Sequence, residues 1–229
     1  MTSKTDAKTD FDPVSFIRTQ TKPASPAIVP ELTLYLASEI TSLWQLREEQ
    51  YAGGHLPPPF WALAWPGGQG LARYLLDNPA IVRGKRVLDM ASGSGIDAIA
   101  AMKAGAAHAL AVDIDPMAHV AIQQNALLNQ VEVETIDYLS MSKAPKRVDI
   151  IIAGDICYEQ AMATRLLRWL WLCVAAGIRV LMADPGRAYV PESGLTELAT
   201  YIVPTSREVE SDDSRTVKVW DVGLPTEET

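Results

Sequence analysis

Lys85-Arg86-Val87-Leu88-Asp89-Met90-Ala91-Ser92-Gly93-Ser94-Gly95-Ile96-Asp97-Ala98-Ile99-Ala100-Ala101 decides how the rest of the chain is read. Val87 and Leu88 make a short apolar strand that Asp89 ends. Gly93 and Gly95 allow a tight turn and let a ligand lie against bare backbone. Ile96 to Met102 is rich in alanine and predicts a helix. The first backbone N–H groups of a helix lack internal partners, so they point at whatever sits over the turn. Strand, glycine turn and helix together form a ligand cradle at the carboxyl end of a parallel strand, where open α/β sheets bind ligands.

Two cofactor classes suit such a cradle. Gly93-x-Gly95-x-x-Ala98 matches the dinucleotide fingerprint, and Asp113 follows about 20 residues later, where an acid meets a ribose. That pattern allows an NAD-dependent oxidoreductase. Asp89, four residues before Gly93, adds an Asp-x-x-x-Gly-x-Gly order. This order resembles the first motif of the class I S-adenosylmethionine-dependent methyltransferases. In that family the turn passes the methionine part of the cofactor, and the acid ending the next strand holds both ribose hydroxyls.

Outward from the cradle, strands and helices alternate. His108 to Val112 reads as a strand ended by Asp113-Ile114-Asp115-Pro116, with a helix over Met117 to Asn129 that starts after Pro116. Val131 to Thr135 alternates like a strand, followed by Ile136-Asp137-Tyr138, an acid and an aromatic suited to an adenine. Val148 to Ala153 is nearly continuous apolar sequence, as a central strand covered on both faces should be. It runs into Gly154-Asp155-Ile156-Cys157-Tyr158. Ala161 to Ala175 predicts a helix whose Trp169 and Trp171 pack. Ile178 to Met182 predicts another buried strand, ending in Ala183-Asp184-Pro185-Gly186-Arg187. Leu195 to Tyr201 predicts a short helix, and Val203 to Val209 and Thr216 to Val222 two closing strands.

Before the cradle, residues 1–25 carry little apolar periodicity and predict a mobile tail. Leu32, Tyr35, Leu36, Ile40, Leu43, Trp44 and Leu46 fall near helical spacing and predict a helix over Glu31–Glu49, broken by Gly53-Gly54-His55-Leu56-Pro57-Pro58-Pro59. Phe60-Trp61-Ala62-Leu63-Ala64-Trp65-Pro66-Gly67-Gly68 reads equally as a flexible, aromatic pocket wall or a core anchor under a loop, with a helix from Leu71 to Leu76. No repeat or second core is visible, so residues 26–229 form one domain. The pattern predicts a doubly wound, Rossmann-like α/β sheet of seven strands with an antiparallel last strand and an N-terminal helical extension.

The 229 residues carry a formal net charge of −8. That charge argues against a nucleic-acid groove and suits a basic protein face. No apolar run is long enough to span a membrane. The N-terminus has neither the apolar core of a secretory signal nor the Arg-rich, acid-poor pattern of a mitochondrial one, so a cytoplasmic, monomeric protein is expected. Cys157 and Cys173 are not in a CxxC pair and predict packing in a reducing compartment. His55, His108 and His119 show no metal spacing, so no metal is expected.

Asp155-Ile-Cys-Tyr158 fits the Asp-x-x-Tyr motif of the seven-β-strand protein lysine methyltransferases. The Phe60–Pro79 segment and Asp184-Pro185-Gly186-Arg187 resemble the electron transfer flavoprotein β-subunit lysine methyltransferases, over roughly residues 30–222. The resemblance implies S-adenosylmethionine as cofactor and a lysine of the electron transfer flavoprotein β subunit as substrate. Another protein, such as a ribosomal one, or a small amine remains an alternative, as does an inactive binding scaffold. Carried over residue by residue, Asp89, Gly93 and Gly95 would meet the methionine part, Asp113 the ribose, and Asp137 and Tyr138 the adenine, with Ala91 and Ile114 also in the cofactor site. Trp65 would close over the cofactor, and Asp155 and Tyr158 would line the lysine channel as the catalytic pair.

Overall fold

A computed structural model describes residues 11–38, 42, 43, 45, 58–205, 210 and 212–226. Its centre is a seven-stranded sheet of order β5-β4-β3-β6-β7-β9-β8. The strands are β3 (Arg86–Met90), β4 (His108–Val112), β5 (Glu134–Ile136), β6 (Ile150–Gly154), β7 (Arg179–Asp184), β8 (Leu195–Pro204) and β9 (Ser214–Val222). The ladders from β5 to β7 are parallel. β9 inserts antiparallel between β7 and β8. From β3 the chain first winds one way, to β4 and β5, and then returns to β6 on the other side. The carboxyl ends of β3 and β6 therefore flank the switch point, where a crevice opens in such sheets.

The apolar runs are continuous because both faces are covered. Alternation along β6 sends Ile151 and Ala153 to one face and Ile150 and Ile152 to the other. The first pair packs with Trp169, Leu170 and Cys173 of helix α5 (Gln160–Ala175). The second pair packs with Leu71 and Leu75 of helix α2 (Pro66–Asp77). Helices α3 (Ile96–Lys103) and α4 (Pro116–Leu128) complete the layers. Both cysteines are free and buried, and Trp169 is in the core. No described helix is long and apolar enough to cross a membrane.

Four sequence expectations change. Residues 13–20, assigned to a mobile tail, form helix α1 (Pro13–Gln20), capped by Asp12 and started by Pro13. Its Phe16 and Ile17 are buried with Met117, Ala118 and Ala121 of α4. The helix expected from Glu31 is instead extended at its start. β1 (Lys22–Ala24) and β2 (Leu34–Leu36) form an antiparallel pair. Two buried asparagines, Asn125 on α4 and Asn129 capping its carboxyl end, hold that extended backbone. Asn125 accepts from the Tyr35 N–H at 2.7 Å, and Asn129 both accepts from and donates to Thr33. Ser42, Leu43 and Gln45 are helical. Trp44 and residues 53–57 of the expected Gly53–Pro59 break lie outside the described residues.

The Pro-Gly-Gly segment is not a flexible break but the first turn of α2, with Pro66 in the first helical position. Leu195–Tyr201 is strand rather than helix, because β8 pairs with β9 along its whole length. Cross-strand partners override local propensity there. Residues 206–209 of the expected Val203–Val209 strand lie outside the described residues.

Candidate active site

The glycine turn is tied down by carboxylates. Asp89, only 1% exposed, accepts from the Ser92 hydroxyl at 2.5 Å and from the Ala98 N–H at 3.1 Å. It thus joins the end of β3 to the first turn of α3. Burial pushes its carboxyl up to about 7, against the pull of the Ser92 and Ala98 bonds. The Gly93 N–H donates to Asp113 Oδ2 at 2.8 Å, and the other Asp113 oxygen accepts from the Asp115 N–H at 2.9 Å. The N–H groups expected to face a ligand are therefore in part held by the protein's own acids. This fixes the turn and aims Asp113 across the ends of β3 and β4.

The two glycines have different reasons. At Gly93 (φ +53°) the nearest atom to a would-be Cβ is the Phe60 carbonyl oxygen, 3.9 Å away, so the space over the turn is open. At Gly95 (φ +80°) a Cβ would stand 3.0 Å from Ile122, so packing against α4 requires glycine there. Ala91 also takes positive φ (56°) at the mouth of the turn. Beside it, the ends of β4 and β5 present two large apolar side chains to solvent, Ile114 (78% exposed) and Tyr138 (71%). Asp137 is exposed between the end of β5 and Tyr138. An open glycine turn, an anchored carboxylate and exposed apolar side chains thus follow one another along the carboxyl ends of β3, β4 and β5.

Across the switch point, Asp155 follows β6 with φ +54°, an uncommon conformation for a residue with a side chain. Its N–H donates to the Ala183 carbonyl, Oδ2 accepts from the Gly68 N–H at 3.0 Å, and Oδ1 accepts from Arg187 at 2.9 Å. Burial raises its carboxyl to about 6, while the Arg187 guanidinium pulls the other way. Gly67 is required here: a Cβ would lie 2.5 Å from Asp155 Oδ2 and 2.8 Å from the Ala183 carbonyl. The Asp155 bond covers an otherwise unpartnered N–H in the first turn of α2.

Three aromatic rings stand beside this carboxylate. Phe60 meets Trp65 edge-on at 5.5 Å and Tyr158 at 5.6 Å between centroids. Trp65 precedes α2, and its indole N–H donates to the Phe60 carbonyl at 3.0 Å. Tyr158 is 47% exposed, while Trp61 is a fully buried core anchor. The carbonyl of Phe60 faces Gly93 and its ring faces Tyr158, so this residue joins the glycine turn to the Asp155 side. The hollow lined by Ala80, Ile81, Lys85, Asp149, Ile150 and Arg179 lies at the opposite, amino end of the strands.

The residues singled out in the sequence thus gather along one edge of the sheet, with Asp137 and Tyr138 at its β5 end. Several neighbours were not foreseen as site residues. Asp97 is buried on α3 with Oδ1 unpartnered, and burial together with Asp89 and Asp155 raises its carboxyl well above the usual range. Asp184 and Arg187 stand out in the sequence only as part of a motif, although Asp-Pro-Gly after a strand is itself a turn signal. Phe60 carries no chemical signal of its own in the sequence, and nothing local marks Glu210.

The family model described as Ribosomal protein L11 methyltransferase (PrmA) matches residues 74–159. The electron transfer flavoprotein beta subunit lysine methyltransferase of Rattus norvegicus is 39% identical over 206 residues, covering 86% of this chain and 79% of its own. The Homo sapiens protein of the same name is 37% identical over 207 residues, covering 86% and 76%. A solved candidate RNA methyltransferase from Pyrococcus horikoshii shares the fold at a TM-score of 0.55, covering 79% of this chain and 96% of that one at 16% identity. Sheet order, glycine turn and the extent of these matches agree: the chain belongs to the electron transfer flavoprotein beta subunit lysine methyltransferase family.

Proposed function

We propose that the chain is an S-adenosylmethionine-dependent protein-lysine N-methyltransferase acting on the electron transfer flavoprotein β subunit. The observation that carries this is the junction made by Phe60, which sets the Asp155–Tyr158 aromatic and acidic cluster against the open glycine turn. A cofactor lying on the turn and an alkylamine entering between Phe60, Trp65 and Tyr158 would meet there.

The cofactor supplies a methyl group on a positively charged sulfur, ready for in-line displacement. The chain's own residues bind and align. Asp113, held by Gly93 and Asp115, would accept from ribose hydroxyls, and Ile114, Asp137 and Tyr138 would border the adenine. Asp89 acts through the turn it ties, and Trp65 closes the other side. Tyr158 and its neighbours enclose the aliphatic stem and present π-faces to the amine. Asp155 orients, since a carboxylate raises a nearby amine's pKa and so makes a poor device for deprotonating it. Residues 74–159, which match the ribosomal L11 methyltransferase model, contain this cofactor-binding run, so that match speaks for the chemistry more than for the target. The free, buried cysteines support a reducing, cytoplasmic setting.

The test is incubation of purified protein with labelled S-adenosylmethionine and, in parallel, electron transfer flavoprotein or a lysate of the source, followed by peptide mass spectrometry. Methyl-lysine on the β subunit is the expected result. Label only on another protein of the source lysate would retain the chemistry and overturn the target.

A further inference from the structure

Arg187 sits at the centre of the acidic side of the site, and the turn before it is built to put it there. Asp184 Oδ1 accepts from the backbone N–H of both Gly186 (2.8 Å) and Arg187 (2.7 Å). Gly186 takes φ +86°, as such a turn needs. The side chain, 17% exposed, then donates through Nη2 to Asp155 Oδ1 at 2.9 Å and to Glu210 Oε1 at 2.8 Å. Its guanidinium carbon lies 5.7 Å from the Trp65 ring centroid. A fixed cation therefore occupies both the carboxylate and one aromatic face that an incoming lysine would otherwise find free.

We propose that Arg187 is a positioning residue for methyl transfer, holding Asp155 in place and favouring the neutral form of the substrate amine by its fixed positive charge. The inference rests on the lysine methylation proposed above. A free lysine has a pKa of about 10.4, so about one in a thousand is neutral at pH 7.4. Only that form attacks. The ammonium releases one proton to water, and its nitrogen lone pair then forms the N–C bond. The methyl–sulfur bond breaks with its electron pair remaining on sulfur, so the charge passes to the methylated amine. An unpaired Asp155 would favour the ammonium and oppose the first step.

The surrounding charges leave Arg187 in that role. Glu210 shares it and lies 3.8 Å from Arg215. Burial raises the carboxyls of Asp184 and Asp97 above their ordinary range. Burial also raises Cys157 and Tyr158, keeping both neutral. Arg187 itself cannot be deprotonated in the working range.

The experiment compares wild type, Arg187→Gln and Arg187→Lys in methylation of the electron transfer flavoprotein β subunit from pH 6.5 to 10, with cofactor affinity measured by calorimetry. Arg187→Gln is expected to lose about 10- to 100-fold in kcat/KM at pH 7.5 and to recover most of it by pH 9.5, a shift of the rising limb by about 1–2 pH units. Arg187→Lys should move the limb back toward wild type, with S-adenosylmethionine affinity within about twofold in both. A loss equal at every pH, or no loss, overturns the positioning role while leaving the function standing. A wild-type enzyme that binds cofactor yet methylates no lysine overturns the function and this inference together.

Discussion

Two residues carry the sharpest expectations about the site. Gly93 combines a left-handed backbone with open space above it. Gly93→Arg adds a strain of about 1–2 kcal/mol and a side chain over the turn. Calorimetry should show S-adenosylmethionine binding lost, with Tm lower by only a few degrees, roughly what that strain implies. Wild-type affinity in this variant would refute the cradle. Asp97 has a buried, unpartnered oxygen beside two other acids. Asp97→Asn keeps the shape and removes the charge, so the Tm advantage of the variant over wild type should grow as pH rises above the ordinary carboxylate value of about 4. A constant difference would mean that Asp97 does not titrate there. Asp89, Gly93, Gly95, Asp113 and Asp155 were legible because each stands at a strand end or turn, where residue type and position coincide, whereas Asp97 lies inside α3 and carries no such mark. The Arg187–Glu210 bond was not, since it joins residues 23 apart on either side of β8 with no shared pattern.

Among the elements, α2 depends most on what it lacks. Gly67, Gly68 and Gly70 let its first turns lie against Asp155, Ile96 and Val217. Gly67→Ala would force a Cβ into the Asp155 carboxylate and the Ala183 carbonyl, and should destabilise by about 1–3 kcal/mol, as overpacking does. Urea unfolding would measure it, and an unchanged midpoint would show that α2 can shift without cost. The central strands β3, β4, β6 and β7 were readable because burial on both faces writes itself as uninterrupted apolar sequence. α1, β1, β2 and β8 were not. Their conformations are settled by distant partners: Met117 and Ala118 for α1, Asn125 and Asn129 for β2, and β9 for β8.

For the molecule as a whole, the buried acids set an unusual pH dependence. Asp89 (about 7), Asp155 (about 6), Asp97, Asp113 and Asp184 all have folded values above their ordinary ones, chiefly through burial. The folded state then binds protons more tightly than the unfolded chain, so stability falls as pH rises through the gap between the two values. The lowered Glu31, Glu159 and Glu197 act oppositely, but they are exposed and titrate below about pH 4.5. Thermal unfolding should therefore show a higher Tm at pH 5.5 than at pH 7.5. A Tm that climbs across this interval would mean the acids are better solvated than their burial implies.

The insertion of β9 between β7 and β8 also bears on how the protein is made. Synthesis runs from the amino end, and domains fold in that order as they emerge. Here the strand that separates β7 from β8 is the last of the sheet to be translated. Until Ser214–Val222 leaves the ribosome, β7 has an open, apolar edge, and Gly70 of α2 lacks Val217 to rest on. An unpaired edge of that kind is a template for pairing with other chains. Ribosome-bound intermediates of this enzyme thus carry an adhesive surface that disappears only when the final hairpin closes.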